Sequence, residues 1–203
     1  MYIVGLNAFH GDSSACLLKD GNLIGAAEEE RFRRIKHWAG FPSEALKWCL
    51  LEAGINLQDV DHIALNQDIK ANLGRKIMFT LDRRPSLKML IDRFQNKRKR
   101  LSVKEHLLKA FPNSEFNGSI HSVEHHTAHL SSAFHTSPFD EAVTVSVDGF
   151  GDFASSAWGV GQGIKIDLED RIYFPHSLGI FYQALTQFIG FHNYGDEYKV
   201  MGL

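Results

Sequence analysis

The sequence predicts an α/β fold in two related lobes, and three observations predict it. Short β-prone runs divided by Gly- and Asp-bearing turns open the chain and return in its last third; helical periodicity fills the stretches between them; and the turn string itself recurs. Gly11-Asp12-Ser13-Ser14-Ala15 reappears as Gly151-Asp152, two further residues, then Ser155-Ser156-Ala157, each copy following an apolar run and preceding a hairpin.

The elements follow in order. Tyr2–Leu6 is an apolar strand, Asn7–Ser13 a polar turn, and Ala15–Leu18 a second strand. Lys19-Asp20-Gly21-Asn22 supplies an Asp-Gly turn into a third strand, Leu23–Ala27, completing a meander. The charged run Glu28–His37 reads as a loop or short turn. Phe41-Pro42-Ser43 then starts a helix whose Ala45, Leu46, Cys49, Leu50 and Ala53 share one face, and Gly54 stops it. Asp61–Leu65 is a strand; Asp68 to about Phe111 is helical and basic, broken by Pro85; Ser119–Val123 is a short strand feeding a helix rich in histidine. Ala142–Val147 is the next strand, with Asp148–Asp152 turning into Ser155–Val160 and Gly161-Gln162-Gly163 turning into Ile164–Leu168. Ser177–Ile189 closes the pattern as an amphipathic helix. The expected division is a first lobe over 1–140, carrying a basic helical insert at about 68–111, and the start of a second lobe over 141–203.

Composition narrows the function classes. The chain of 203 residues is 44% hydrophobic, enough for a sizeable core, yet no apolar run reaches the length that spans a bilayer. Met1–Leu6 enters a strand with no basic leader, so a cytoplasmic protein that does not use a membrane is expected. Two cysteines make no disulfide framework, and Cys16 and Cys49 read as small buried hydrophobes. The formal charge of −2 conceals an asymmetry: Lys70–Lys104 holds twelve Lys or Arg against Asp82 and Asp92, a local excess of ten positive charges. Lys97-Arg98-Lys99-Arg100 suits phosphate, but the stretch reads better as a solvated helical face with Met89, Leu90 and Phe94 turned inward. Too few aromatics interleave with the charge for base stacking, which argues against a nucleic-acid partner.

The feature richest in chemistry is the histidine run. Five of the eleven histidines fall within Ser119–His135, and His125 and His129 stand four residues apart, on one face of a helix. Two imidazoles so placed reach a single metal ion, although a His-x3-His pair lacks the third ligand usual in catalytic sites. The ordinary alternative is histidines satisfied by hydrogen bonds in the core or at the surface. The two Gly-Asp-Ser turns offer backbone N–H groups for phosphate, with Asp12 and Asp148 or Asp152 available to orient a cation or water. Glu124 or Asp148 is placed to fix an imidazole tautomer.

The duplicated hairpin with acidic turns resembles the actin-like ATPase (ribonuclease H-like) fold, in which two βββαβα lobes enclose a nucleotide. Gly5-Leu6-Asn7 with His10-Gly11-Asp12-Ser13-Ser14-Ala15, and Glu28-Glu29-Glu30-Arg31-Phe32 with Lys36-His37, resemble the amino-terminal half of the O-carbamoyltransferases that include nodulation and antibiotic-tailoring enzymes. So do His125-His126-Thr127-Ala128-His129 with Ser132-Ala133-Phe134, Val147-Asp148-Gly149, and the run Gly195–Leu203. The likeness covers nearly the whole chain outside the basic insert.

That resemblance implies a two-part enzyme. A carboxy-terminal domain makes carbamoyl-adenylate from carbamoyl phosphate and ATP, and the actin-like part passes the carbamoyl group to a hydroxyl of a small molecule, often a sugar. It implies a divalent metal, Fe2+ in the best-known relative, with His125 and His129 as ligands beside a later aspartate. Asp148, with Gly149 and Gly151, lies at the acidic turn near metal and adenylate. Lys36 and His37 face the substrate, and Asp12 or His10 serves as the catalytic base. On this reading the chain is a fragment, inactive alone, whose incomplete second lobe leaves an edge open to self-association as a homodimer. The simpler alternatives are that Lys36-His37 is a solvated loop and that Asp12 and Asp148 only form turns. Two further readings are a threonylcarbamoyl transferase-like protein of tRNA modification and a non-catalytic actin-like module with structural histidines.

Overall fold

The computed structural model describes residues 1–83 and 102–203. The chain divides into two compact units, the first comprising Met1–Asn66 and Thr80–Ser122, the second Gln67–Phe79 and Val123–Leu203. Pro85, the inward placement of Met89, Leu90 and Phe94, and the Lys97–Arg100 run lie outside the described residues.

In the first unit β1 (Tyr2–Asn7), β2 (Ser14–Lys19) and β3 (Asn22–Glu28) form the antiparallel meander. β4 (His62–Leu65) lies parallel to β1, and β5 (Ser119–Ser122) parallel to β4, giving the order β3-β2-β1-β4-β5. A βββ meander followed by parallel strands added to the outer side of the first is the arrangement expected of an actin-like lobe. Asp20 and Gly21 both take positive φ in the β2–β3 turn, which is why an Asp-Gly pair stands there.

Helix α1 (Glu30–Arg33) is a short turn, and α2 (Ser43–Glu52) lays Ala45, Leu46, Cys49 and Leu50 on the sheet. These side chains join Val4, Leu6, Leu17, Leu57 and Ile63 in one core. Burial of each large aliphatic contributes about 1.5–3 kcal/mol. Gly54 ends the α2 segment at φ +64°, the left-handed stop read from the sequence. α4 (Val103–Ala110) follows α3 (Leu73–Arg83) and is opened by a Ser102–Glu105 capping box.

Cys49 lies fully buried on α2, and burial pushes its thiol up to about 11; burial also raises Cys16. The neutral thiol is the form that folding favours. Its contribution is therefore complete below the unfolded value of 9.0 and is lost as pH rises through 11. Native protein at pH 8 is expected to leave Cys49 unmodified by iodoacetamide over the time that denatured protein alkylates fully, as peptide mass mapping would show.

The second unit holds an antiparallel meander, β6 (Glu141–Gly151), β7 (Ala154–Gln162) and β8 (Lys165–Tyr173), in that order. Helix α5 (His125–Phe134) packs on β6 and β7 through Leu130 and Phe134. Gly161 makes room for the Phe134 ring, which a Cβ there would meet at 2.6 Å. α6 (Leu178–Phe188) and the short α7 (Glu197–Val200) follow. Among the described residues β6 pairs with a strand on the β7 side alone, and Val143, Val145 and Val147 stand exposed along it.

Several boundaries differ from the sequence expectation. The units divide at Ser122–Val123 rather than after residue 140, because α5 lays its apolar face on β6 and β7. Asp148–Gly151 is not a turn but the end of β6, where the register with β7 shifts between Val147 and Gly151; likewise β7 runs on to Gln162. No described helix is long and apolar enough to cross a membrane.

Candidate metal centre

The irregularity at the end of β6 frees Asp148 from regular pairing, as bulges often do beside functional groups. Asp148 is steadied from behind: Gly149 N donates to its Oδ1 at 2.6 Å, and Ser177, the cap of α6, donates its hydroxyl to the carbonyls of Asp148 and Gly149. The amide of Gly149 thus serves the carboxylate.

On α5 the spacing read from the sequence brings His125 and His129 together. Their Nε2 atoms lie 3.0 Å apart; His125 Nε2 is 2.9 Å from Asp148 Oδ2, and His129 Nε2 is 3.7 Å from the same oxygen. Both rings hold the Asp148 carboxyl far below the usual carboxylate range, His125 most and His129 next, with the Gly149 N–H assisting. His125 is nearly buried, while His129 is about half exposed, leaving the cluster open on one side.

Hydrogen bonding alone serves these three atoms poorly. One N–H on His125 Nε2 points well at Asp148 or at His129, not at both. Two imidazole nitrogens and a carboxylate oxygen around a cation at about 2.0–2.2 Å stand about 3.3 Å apart in a tetrahedral arrangement, close to the separations found. The donor set fits a borderline divalent ion.

Gly151 is what lets His125 take this place: a Cβ there would lie 1.9 Å from the His125 Cδ2. Asp152, at φ +48°, uses its Oδ2 to accept from the amides of His125 and Asp68 at 2.9 and 2.8 Å, so it anchors backbone instead of facing the cluster. The remaining histidines of the run sort into the ordinary alternative. His126 is fully buried on Ser146 Oγ at 2.8 Å, with burial pushing its pKa down; His135 pairs with Ser131, and His121 with His62. Glu124 does not touch an imidazole: it caps α5 through Thr127.

The first unit carries a second group. Asp12, at φ +60° in the β1–β2 turn, places Oδ1 2.8 Å from His37 Nδ1, and Glu30 Oε2 accepts from His37 N at 3.1 Å. Their donor atoms fall within 4.8 Å of one another. Lys36 is exposed beside them, and His10 is half-buried, with its carbonyl accepting from Ser13 Oγ at 2.9 Å. Sequence reasoning did not single out Glu30 or Glu29; three consecutive glutamates offer no signal that tells them apart.

Residues 2–203 match the family model described as Carbamoyltransferase N-terminus. Among curated proteins, the chain is 38% identical over 215 residues to an uncharacterised protein of Synechocystis, covering all of this chain and 34% of that protein. It is 34% identical over 199 residues to nodulation protein NolNO of Sinorhizobium fredii, covering 97% of this chain and 28% of that protein. The chain thus spans about a third of the length of these relatives. Among solved structures it resembles YeaZ from Pseudomonas aeruginosa, with a TM-score of 0.45 and 14% identity over 86% of this chain and 67% of that one. It also resembles a ROK hexokinase from Thermus thermophilus, with a TM-score of 0.42 and 14% identity over 84% of this chain and 49% of that one.

Proposed function

Because the chain belongs to the carbamoyltransferase family, we propose that the intact protein moves a carbamoyl group from carbamoyl phosphate, by way of carbamoyl-adenylate formed with ATP, to a hydroxyl of a small molecule such as a sugar. The adenylate-forming step belongs to a carboxy-terminal domain of the intact protein. The observation that carries the reading is the convergence of His125, His129 and Asp148 at separations suited to one cation.

In this reading His125 and His129 hold a divalent ion, iron by family resemblance, and Asp148 faces it. Two neutral imidazoles leave most of the cation's charge uncancelled. When bound, the ion supplies polarisation of a carbonyl or phosphoryl oxygen. Asp148, kept ionised by its partners, contributes the one formal negative charge of the cluster. Gly151 permits the close approach of the His125 ring that this geometry needs, and Gly149 lends its amide to Asp148.

The acceptor chemistry falls to the first unit. Asp12 fixes the orientation of the His37 ring, and a carboxylate–imidazole pair of this kind is suited to receive the proton of an acceptor hydroxyl. His10 is the other candidate for that base, and Lys36 is assigned to binding of the substrate. The exposed strand edge of β6 is a candidate homodimer contact.

The test is made on the intact protein. Elemental analysis is expected to find one divalent metal per chain, reduced at least tenfold by His125→Ala or His129→Ala. Carbamoylated product, read by mass with carbamoyl phosphate, ATP and a panel of hydroxyl metabolites, should fall in step. Equal metal content in wild type and both variants would remove the reading.

A further inference from the structure

Resting on the metal reading above, we infer that Glu124 is a positioning residue for the cation: it sets the rotation of the first turn of α5 and so the aim of His125 and His129 at Asp148. Its Oε2 accepts from Thr127 N at 2.9 Å and from Thr127 Oγ1 at 2.8 Å, closing the helix start. The same oxygen takes Arg171 Nη2 at 3.2 Å.

Arg171 belongs to the frame that carries Asp148. It sits on β8 opposite Ala157 of β7, which in turn stands opposite Ser146 of β6, two residues before Asp148. The ion pair therefore ties the helix to the sheet row next to the carboxylate, while Asp152 holds the amide of His125 from the β6–β7 turn. Two ties, one from strand β8 and one from the β6–β7 turn, fix a rotation that a single tie leaves free.

The tolerance required is tight. An imidazole nitrogen about 7 Å from a helix axis moves about 1.2 Å for a 10° rotation, against the roughly 0.2 Å within which metal–ligand distances hold. As a source of stability alone the pair is a poor choice. Its side chains are only 12% and 20% exposed, and Glu124 Oε1 and Arg171 Nε are buried with no hydrogen-bond partner among the described residues. Isolated buried ion pairs seldom stabilise more than apolar packing, whereas they do specify geometry.

Cobalt(II) titration of the intact protein, stripped of metal, tests this through affinity and the visible ligand-field bands. Glu124→Ala is expected to weaken Co2+ binding at least tenfold and alter the bands while circular dichroism shows the fold retained; Glu124→Asp, which still caps the helix, should recover part of the affinity. Arg171→Met should weaken binding with the cap intact. If Glu124→Ala does not fold, Glu124→Gln, equal in shape and lacking the charge, provides the comparison. Wild-type affinity and bands in Glu124→Ala and Arg171→Met would overturn the positioning role. Absence of Co2+ binding in wild type would instead overturn the metal reading, and this inference with it.

Discussion

Replacing Glu29 by alanine is expected to destabilise the protein by about 2–5 kcal/mol, since each amide left without an acceptor costs about 1–3 kcal/mol and the ion pair with Arg33 is lost as well. The carboxylate is fully buried and no part of it is idle. Oε1 accepts from Arg33 Nε at 2.6 Å and from the Ser43 hydroxyl at 3.4 Å; Oε2 accepts from Glu44 N at 2.9 Å and Ala45 N at 2.8 Å. It thereby does for α2 what a cap residue would, since Pro42 at the cap position offers no side-chain acceptor. Truncation leaves two amides without an acceptor at once and takes the carboxylate from Arg33, which keeps Ser43 Oγ and the face of Trp38. Its neighbour Glu30 holds His37, so release of this segment should also loosen the Asp12–His37 pair. Urea denaturation checks the first effect, with Glu29→Gln, which keeps the acceptor oxygen and loses the charge, expected at about half the loss. A change below about 1 kcal/mol in Glu29→Ala would show that water or local rearrangement replaces the carboxylate.

Gly151→Ala is expected to abolish high-affinity metal binding and to cost about 2–3 kcal/mol, the upper part of the range for overpacking. The added Cβ would lie 1.9 Å from one His125 ring carbon and 2.1 Å from another, inside any permissible contact. The His125 backbone cannot move aside, because its amide is held by Asp152 and its helix is capped by Glu124, so relief comes from turning the ring away from Asp148 and His129. Gly149→Ala provides the contrast: its nearest neighbour would be the flexible end of Ile180 at 3.6 Å, so little change is expected. Metal content and thermal unfolding of the two variants, side by side, separate a steric effect on the ring from a general intolerance of side chains in this strand. Equal metal content in both would refute the argument.

The sequence by itself determined the elements and the pairing within them that rest on local rules. The two meanders follow from alternating apolar runs and turn residues, and α2 from the spacing of Ala45, Leu46, Cys49 and Leu50 with Gly54 behind it. The meeting of His125 and His129 follows from helical geometry alone, since four residues make about one turn. Family strings carried the carbamoyltransferase assignment, because they are combinations of residues that no propensity rule would generate.

Only the tertiary structure decided which of many like residues does what. Glu28, Glu29 and Glu30 are equivalent in sequence; long-range contact buries the second beneath α2 and turns the third to His37. Asp148 and Asp152 both looked like turn formers, and the register shift in β6 sends one to the imidazoles and the other to the backbone. Gly151 reads as turn chemistry until the ring of a residue twenty-six positions earlier is found against it. The physical reason is common to all three: local preference is set by neighbours within a turn or two, whereas burial, charge pairing and steric clearance are set by whichever distant segment the fold packs alongside.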